Sequence, residues 1–374
     1  MKILLTGGGS GGHFYPLIAV AESIRSIAQR EKLMDVQLFF MSTDPYNERD
    51  LFDLGIRFLK VKTGKIRSYF SMRNVFDKFS IVWGVFRAIP KVYSIYPDVV
   101  FSKGGYASFP AVFAARLLRI PVVIHESDTI PGKANAWAAK FAERIAVSFP
   151  DASKYFPKEK VAYTGNPIRR TLMHPTPDGG HEHFNLNPHI PIILVLGGSQ
   201  GAQHINETIL DTLPKLLPHY QVIHQTGKEH IDEINRMKTV IIEDTNLLSR
   251  YHAVPYLTSM SLRMAAGVAD IIITRAGSTL FEVAQWGIPS IVVPLPGEVS
   301  HHQRENAFAY ARTGAARVVE DANLSPYILY AEIERILKNK DVRERMRASA
   351  KSFARPDAAD VIAAELVRIS LSHE

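Results

Sequence analysis

The chain has 374 residues, 46% of them hydrophobic and 22% charged, which is typical of a globular protein and excludes a disordered one. The net charge of +7 favours anionic partners such as nucleotides, diphosphates or acidic lipid surfaces, and because no nucleic-acid motif accompanies it we expect no nucleic-acid partner. The absence of cysteine excludes disulfides, thiolate metal sites and cysteine nucleophiles, and no apolar run approaches the roughly 18 residues needed to span a bilayer.

Short apolar runs alternate with helix-like patterns along the chain. The runs are continuous rather than alternating, as expected for parallel strands buried on both faces. They predict strands at Ile3–Leu5, Val36–Met41, Val99–Ser102, Val122–Ile124, Ile145–Val147, Ile192–Leu196, Val222–His224, Ile271–Thr274 and Ser290–Val293. The first strand begins so early that we expect no signal peptide. The pattern predicts an α/β protein with doubly wound parallel sheets.

The first predicted strand runs directly into the glycine-rich sequence TGGGSGGHFYP, residues 6–16. Glycines at this density indicate a backbone that something approaches closely. Gly7, Gly9 and Gly12 satisfy the G-x-G-x-x-G fingerprint of dinucleotide sites, but any window so rich in glycine fits that pattern. We favour a helix N-terminus that offers free N–H groups to an anion, and a tight turn without a ligand is the alternative.

Two further loops of the first half follow predicted strands. FSKGGYASFP contains a second bare-backbone turn at Gly104 and Gly105, and two such turns on one domain can hold one diphosphate. VVIHESDTIPG places His125, Glu126 and Asp128 directly after a strand. Ionisable residues in this position are predicted to lie outside the core.

The segment Pro150–Pro191 contains seven prolines and little periodicity. Its first half, near TGNPIRR, predicts an inter-domain linker, and its second half predicts a surface excursion. After it the opening pattern repeats, with strand Ile192–Leu196 followed by GGSQGA. We predict two Rossmann-like domains, residues 1–165 and 166–356, with a C-terminal helix at 357–374 that packs back on the first. Because ligands of doubly wound sheets bind at the carboxyl ends of the strands, we expect loops of both domains to line one cleft.

The second half carries its own anion-binding signals. In LVLGGSQGAQHIN, Ser199 and a helix N-terminus suit a phosphate. In IIITRAGSTLFEVAQWG, Arg275 ends a strand, Ser278 and Thr279 can cap a helix, and Glu282 lies in the first turns of that helix. Arginine and a helix N-terminus neutralise a diphosphate, and a carboxylate one turn further on can accept both hydroxyls of a ribose.

A third loop, PLPGEVSHHQRENA, offers His302, Gln303 and Asn306 as hydrogen-bonding groups for a sugar, or else is a solvated helix start. No D-x-D tripeptide occurs in the sequence, so we expect no metal ion at the site, and the positive charge for a leaving diphosphate is expected from Arg275 and helix dipoles. There is also no Walker motif.

Seven motifs occur in the order and approximate spacing of one family: GGGSGGH, GGY, HESD, GNPIR, GGSQGA, RAGSTLFE and HHQRENA. In these motifs the chain resembles the MurG family, the lipid-linked N-acetylglucosaminyl transferases of peptidoglycan synthesis. The resemblance runs from Thr6 to about Ala316 and implies a GT-B fold of two facing domains with an inverting mechanism that needs neither metal nor cofactor. It implies UDP-N-acetylglucosamine as donor and lipid I, the undecaprenyl-linked muramoyl-pentapeptide, as acceptor. The implied location is peripheral, at the cytoplasmic face of the plasma membrane.

The motifs and the resemblance together give two sets of binding residues. The donor is expected to contact Ser10, Gly11, Gly12, Asp128, Arg169, Ser199, Leu257, Arg275, Ser278, Thr279, Leu280, Glu282 and Gln303. The acceptor diphosphate is expected at Gly9, Ser10, Gly11, Gly12, Gly104, Gly105 and Tyr106.

His13 follows the glycine cluster at the predicted start of a helix. A histidine with a pKa near 6.5 suits general-base catalysis at neutral pH, so His13 is the first candidate for the base. Asp128 is either its orienting partner or the base itself, since the family usually has asparagine at this position. The alternative is that His13 only binds the diphosphate or packs the turn.

The segment Lys65–Lys91 has six basic residues and one acidic residue, Asp77, with aromatic and apolar residues between them. Basic and aromatic residues together are typical of an interfacial element, so we predict contact with an anionic membrane surface, and a core helix with a solvated face is the alternative.

Other functions are compatible with parts of this pattern. A non-hydrolysing UDP-N-acetylglucosamine 2-epimerase or a glycolipid synthase would share the GT-B fold. An NAD-dependent oxidoreductase would use Gly7–Gly12, and a nucleotide-sugar-binding protein without activity would share the loops.

Overall fold

The computed structural model describes residues 1–64, 73–197, 202–297 and 300–372, without the side chains of 73–79 and 301. The chain divides into two compact units. Unit 1 comprises Met1–Arg169 and Arg355–Glu374, and unit 2 comprises Arg170–Ala354. Within the described ranges, no helix has the length and apolar character needed to cross a bilayer.

Each unit is built on a parallel sheet. The strands of unit 1 are β1 (Lys2–Thr6), β2 (Gln37–Ser42), β3 (Ile56–Lys60), β4 (Val99–Ser102), β5 (Val122–Glu126), β6 (Arg144–Val147) and β7 (Val161–Tyr163). Those of unit 2 are β8 (Ile192–Leu196), β9 (Gln221–Gln225), β10 (Tyr251–Val254), β11 (Ile271–Thr274), β12 (Ser290–Val292) and β13 (Ala316–Val318). The orders are β3-β2-β1-β4-β5-β6-β7 and β10-β9-β8-β11-β12-β13.

Helices connect the strands. They are α1 (Gly11–Arg30), α2 (Glu48–Asp53), α3 (Arg73–Ile95), α4 (Phe109–Leu117), α5 (Lys133–Ala138), α6 (Gly180–His183), α7 (Gln203–Leu216), α8 (Ile231–Ile241), α9 (Thr245–Leu248), α10 (Ser259–Val268), α11 (Thr279–Trp286), α12 (His301–Arg312), α13 (Pro326–Leu337), α14 (Lys340–Phe353) and α15 (Ala358–Leu371). Short 3₁₀ helices lie at Tyr106–Ser108, Pro150–Tyr155, Arg170–Leu172 and Asp321–Asn323.

The sheet of unit 1 is buried on both faces. Successive side chains of a strand point to opposite sides, so β1 contributes to two hydrophobic clusters. Ile3 and Leu5 of β1 belong to one buried cluster, which includes residues of α1 and also Leu366 of α15. Leu4 belongs to a second cluster on the other face, with Ala111 of α4. The C-terminal helix is therefore part of the core of unit 1.

In each sheet the order in which successive strands are added reverses beside the first strand of the unit. In unit 1 the order reverses between β1 and β4, and in unit 2 between β8 and β11. Ligands of such sheets bind at this switch point, outside the carboxyl ends of the strands. The loops in that position include residues 7–10 and 103–105 of unit 1 and residues 275–278 of unit 2.

The structure contains all nine strands that the apolar runs predict, and four more: β3, β7, β10 and β13. These four form the edges of the two sheets. The boundary between the two units falls at Arg169 and Arg170, within the TGNPIRR sequence where the linker is predicted, but the segment before it is not all linker because it contains β7. This strand is short and incompletely buried, so it leaves no continuous apolar run.

Candidate functional site

Two glycine-containing loops pack against each other at the switch point of unit 1. Gly9 has a φ of +89°, and a Cβ there would lie 2.9 Å from a ring carbon of Tyr106. A Cβ on Gly105, which has a φ of +80°, would lie 3.4 Å from the carbonyl oxygen of Gly8. A side chain at Gly9 would therefore push the two loops apart.

The first of these loops ends in the N-terminus of α1. The N–H groups of His13 and Phe14 both donate to the carbonyl of Ser10 at 3.1 Å. The N–H groups that precede them in the first turn have no partner within the helix. Because Gly9 and Ser10 are exposed and Gly11 is half-buried, this helix end is open to an anion.

His13 is half-buried and its ring is oriented by the second loop. Its Nδ1 donates to the carbonyl oxygen of Lys103 at 3.3 Å, since a carbonyl can only accept. The lone pair is then on Nε2, which lies 3.6 Å from the position of a Cβ on Gly105. Burial and then the charge of Lys103 lower the pKa of His13, against smaller opposing effects of Asp128 and of the hydrogen bond to the Lys103 carbonyl. The imidazole is therefore a neutral hydrogen-bond acceptor at neutral pH.

Glu126 lies beneath this surface and organises the loop after β5. Its Oε1 accepts from the N–H of Asp128 at 3.0 Å. Its Oε2 accepts from the N–H of Gly132 at 3.0 Å and from Nδ2 of Asn135 at 2.9 Å. Burial raises the pKa of Glu126, with a further rise from Asp128, and these hydrogen bonds oppose it. The carboxyl group thus holds Asp128 in place rather than facing a ligand.

The expectation that His125, Glu126 and Asp128 lie outside the core is wrong for the first two, which are the last residues of β5. His125 and Glu126 are 0% and 3% exposed, and Asp128 is half-buried. The His125 ring finds partners in the Gly165 carbonyl oxygen at 3.0 Å and the hydroxyl of Ser148 at 3.2 Å. Both partners lie on Nε2, whereas Nδ1 of His125 has no hydrogen-bond partner among the described residues.

Gly104 does not fit its predicted role as a diphosphate ligand. It is buried, and its N–H donates to Oγ of Ser102 at 3.1 Å. A Cβ on Gly104 would lie 2.8 Å from the amide of Asn135, so the glycine allows the close approach of that side chain. Gly105 and Tyr106 are half-buried and remain available to a ligand.

Arg169 lies in unit 1 with its guanidinium stacked over the ring of Tyr15, 3.7 Å from the ring centroid. It also interacts electrostatically with Asp50. The structure therefore brings Arg169 together with residues beside the start of α1, whereas three further predicted donor ligands belong to unit 2: Leu257, Arg275 and Gln303.

The charge of Arg275 is compensated within unit 2. Its Nη1 donates to a carboxylate oxygen of Asp321 and to the carbonyl oxygens of Val293 and Pro294 at 3.2 and 3.1 Å. Burial alone would raise the pKa of Asp321, but its hydrogen bonds with His204 and Arg275 lower it below the usual value. Arg275 is thus half of an ion pair with Asp321, and its contact with a diphosphate stays a prediction. Sequence reasoning missed Asp321, although it follows the short strand β13.

Helix α11 begins at the switch point of unit 2. Ser278 occupies the N-cap position, but its side chain makes no capping hydrogen bond, contrary to prediction. Thr279 is the first helical residue, and Glu282 is half-buried in the first turn. Leu280 is fully buried, so only its main chain can meet a ligand. The N–H groups of Leu280 and Phe281 donate to the carbonyls of Gly277 and Ser278 at 3.1 Å, so the helix end offers its partial positive charge and one carboxylate a turn away.

Several of the remaining predicted ligands already make hydrogen bonds within the protein. The N–H of Leu257 donates to Oε1 of Gln225 at 3.0 Å, so this N–H is already used. Oε1 of Gln303 accepts from the N–H of Leu295 at 3.4 Å, and Gln303 is half-buried in the first turn of α12. Asn306 is buried and donates to the Ala276 carbonyl, which corrects its prediction as a sugar ligand. Ser199 lies outside the described residues.

Two family models match the chain. The glycosyltransferase family 28 N-terminal domain matches residues 3–147, and the glycosyltransferase family 28 C-terminal domain matches residues 192–362. A protein of Bacillus cereus is 34% identical over 91% of this chain and 93% of its own length. It is named UDP-N-acetylglucosamine--N-acetylmuramyl-(pentapeptide) pyrophosphoryl-undecaprenol N-acetylglucosamine transferase 2. A Lactiplantibacillus plantarum protein with the same name, without the final number, is 34% identical over 96% of this chain and 97% of its own.

Solved structures resemble the whole chain. The crystal structure of Acinetobacter baumannii MurG matches with a TM-score of 0.72 and 27% identity, covering 98% of this chain and 99% of the other. A UDP-GlcNAc 2-epimerase from Neisseria meningitidis, bound to UDP-GlcNAc, matches with a TM-score of 0.70 over 98% of this chain and 100% of the other. At 14% identity the epimerase shares the fold alone.

Proposed function

The chain belongs to glycosyltransferase family 28, the family of the MurG enzymes, and on this premise we propose that it transfers N-acetylglucosamine from UDP-N-acetylglucosamine to the muramoyl sugar of lipid I, forming lipid II. The observation that carries the proposal is the neutral His13 beside an open helix N-terminus at the switch point of unit 1. This arrangement offers an anion site and a proton acceptor side by side.

Unit 2 is the proposed donor domain. The N-terminus of α11 would receive the diphosphate of UDP, and Glu282 in the first turn would accept the ribose hydroxyls. Gln303 in the first turn of α12 would contact the sugar. Helix N-termini supply partial positive charge to the leaving diphosphate, so the reaction is proposed to need neither metal nor cofactor.

Unit 1 is the proposed acceptor domain. The exposed Gly9 and Ser10 and the half-buried Gly105 and Tyr106 surround the N-terminus of α1, where N–H groups can receive the diphosphate of lipid I. The hydroxyl of the muramoyl sugar would then lie beside His13 or Asp128.

The proposed chemistry is a direct displacement. The acceptor hydroxyl oxygen attacks the anomeric carbon of N-acetylglucosamine and forms the new glycosidic bond. The bond from that carbon to the β-phosphate oxygen breaks, and UDP leaves with the electron pair. The hydroxyl proton passes to His13 Nε2 or to Asp128. Because attack and departure occur on opposite sides of the carbon, the configuration inverts.

The decisive experiment is incubation of the purified protein with UDP-N-acetylglucosamine and lipid I in detergent micelles, with formation of lipid II followed by mass spectrometry. Parallel reactions with the donor alone are examined for UDP-N-acetylmannosamine, the product of the rival epimerase. Lipid II only in the presence of both substrates supports the proposal. The epimer as the main product, or neither product, would contradict it.

A surface of unit 1 fits the proposed peripheral location at the cytoplasmic face of the membrane. Residues 65–72 of the segment Lys65–Lys91 lie outside the described residues, but α3 exposes Trp83 and Phe86 by 59% and 66%. The guanidinium of Arg87 lies over the Trp83 ring, 5.3 Å from its centroid. A cavity of 370 Å³ beside this pair is lined by Trp83, Arg87, Lys60 and Lys62. Exposed aromatic rings beside basic side chains suit an anionic lipid surface.

We expect the protein to float with vesicles that contain phosphatidylglycerol and to remain in solution with phosphatidylcholine alone. Trp83→Ala is expected to reduce flotation, because an interfacial aromatic ring is lost. Tyr155→Ala, which removes an exposed ring from another element, serves as the control. Equal binding to neutral and anionic vesicles would argue against an electrostatic anchor.

A further inference from the structure

A lysine side chain lies buried at the switch point of unit 1. Lys103 follows β4 directly and is 1% exposed, and its Nζ has no hydrogen-bond partner among the described residues. A buried ammonium without hydrogen bonds is strongly unfavourable, so its presence at a candidate site needs an explanation other than packing.

The main chain of Lys103 continues from β4 and is hydrogen-bonded to the end of β1. Its N–H donates to the Thr6 carbonyl at 2.9 Å, and its Cβ lies 3.1 Å from the position of a Cβ on Gly7. The charged and titratable groups that interact with its ammonium come from two elements: His13 from α1, and His125, Glu126 and Asp128 from β5 and the loop after it. The lysine charge therefore acts on the candidate base and on its neighbouring carboxylates at once.

We propose that Lys103 is a positioning residue for the transfer reaction: its carbonyl fixes the tautomer of His13, and its buried ammonium opposes a second proton on the His13 ring. This inference rests on the proposed function. Lys103 thereby keeps Nε2 of His13 free of a proton, so that this atom can receive the proton of the acceptor hydroxyl.

The hydrogen bond to His13 carries the first half of the proposal. The Lys103 carbonyl accepts from Nδ1 of His13 at 3.3 Å, which leaves the Nε2 lone pair on the side of Gly105. A second proton on the ring would add a positive charge close to the ammonium, and like charges disfavour this. Burial lowers the pKa of Lys103 to about 8, against the opposing effect of Glu126 and Asp128, so the ammonium is mainly charged at neutral pH.

The contacts of Glu126 separate this role from that of a simple counter-ion. A counter-ion would place Nζ within hydrogen-bond distance of a carboxylate. Instead, the two oxygens of Glu126 accept from Asp128, Gly132 and Asn135. Lys103 thus influences its neighbours through its charge, and the loop after β5 keeps its own hydrogen bonds when that charge is removed.

The test is a titration of the His13 ring by proton NMR in the wild-type protein and in Lys103→Met, which keeps the length of the side chain and removes the charge. The His13 signal is assigned as the one that His13→Gln removes. The lysine charge lowers the pKa of His13, so its removal is expected to raise the titration midpoint by about one pH unit. The acid limb of the kcat/KM profile for lipid I should move upward by a similar amount. Lys158→Met removes an exposed lysine of unit 1 and should change neither.

An unchanged His13 midpoint in a folded Lys103→Met protein would overturn the proposal, whatever the activity. Circular dichroism checks folding, and Lys103→Gln provides the same measurement if the methionine variant does not fold. A merely structural lysine would lower activity without moving the midpoint or the acid limb. A raised midpoint in a protein that forms no lipid II would assign the failure to the proposed function rather than to the effect of Lys103 on His13.

Discussion

Replacing His13 with alanine is expected to lower turnover with lipid I by about 10²-fold or more, the scale of a lost acid–base group. The ring belongs to unit 1, whereas Glu282, Gln303 and the N-terminus of α11 belong to unit 2, so the affinity for UDP-N-acetylglucosamine should hardly change. Turnover is measured at saturating donor, and donor affinity by titration calorimetry. His189→Ala, which removes an exposed histidine of unit 2, is the matched control. Near-normal turnover of His13→Ala would make the histidine structural.

Asp128→Asn decides which group accepts the proton. If His13 is the base, this variant should stay active, and its acid limb should move to lower pH because Asp128 raises the pKa of His13. If Asp128 is the base, turnover of Asp128→Asn should itself fall by about 10²-fold or more. In the wild-type protein the lowered pKa of His13 predicts that activity persists below pH 6.5 and is lost only as the pH falls through that lowered value. The pH profiles of both variants and the wild type supply the measurement.

The predictions of a GT-B fold and of the MurG family are both confirmed, and the reason lies in the central strands. Strands such as β4 and β11 are buried on both faces, so each leaves an uninterrupted apolar run. The edge strands β3 and β13 are covered less, and their mixed composition gives no such signal. The glycine-rich loop after β1 could also be recognised from sequence, because its structural constraint determines the residue type: the close approach of Tyr106 to Gly9 excludes a side chain there.

The buried part of the candidate site could not be predicted from sequence. Glu126 resembles a surface residue in sequence, and only the fold supplies the three N–H donors that satisfy its buried carboxylate. Lys103 stands between a strand and a glycine pair, where nothing in the sequence distinguishes a buried ammonium from an exposed one. Asp321 lies 46 positions from Arg275, so their pairing depends on tertiary structure. Local patterns identify which loops lie at the switch point of each sheet, whereas the compensation of charge there depends on residues distant in sequence.

The Glu282→Ala variant is expected to bind UDP more weakly by about 1.5–3 kcal/mol, the range for a hydrogen bond to a charged group. The N-terminus of α11 favours the diphosphate, and the half-buried Glu282 in its first turn would accept from the ribose hydroxyls. Calorimetric titration with UDP and with 2′-deoxy-UDP tests this role directly. The wild-type protein should prefer UDP, and Glu282→Ala should lose most of that preference.

Three comparisons separate ribose binding from other effects of Glu282. Loss of an acidic residue from the first turn weakens a helix by about 0.3–1 kcal/mol, so thermal unfolding of Glu282→Ala without ligand measures that part alone. Glu243→Ala removes an exposed glutamate of the same unit and should leave both affinities unchanged. Glu282→Gln keeps an oxygen acceptor without the charge and should fall between wild type and alanine. If Glu282→Ala binds UDP as tightly as the wild type, or weakens UDP and 2′-deoxy-UDP equally, the carboxylate does not hold the ribose.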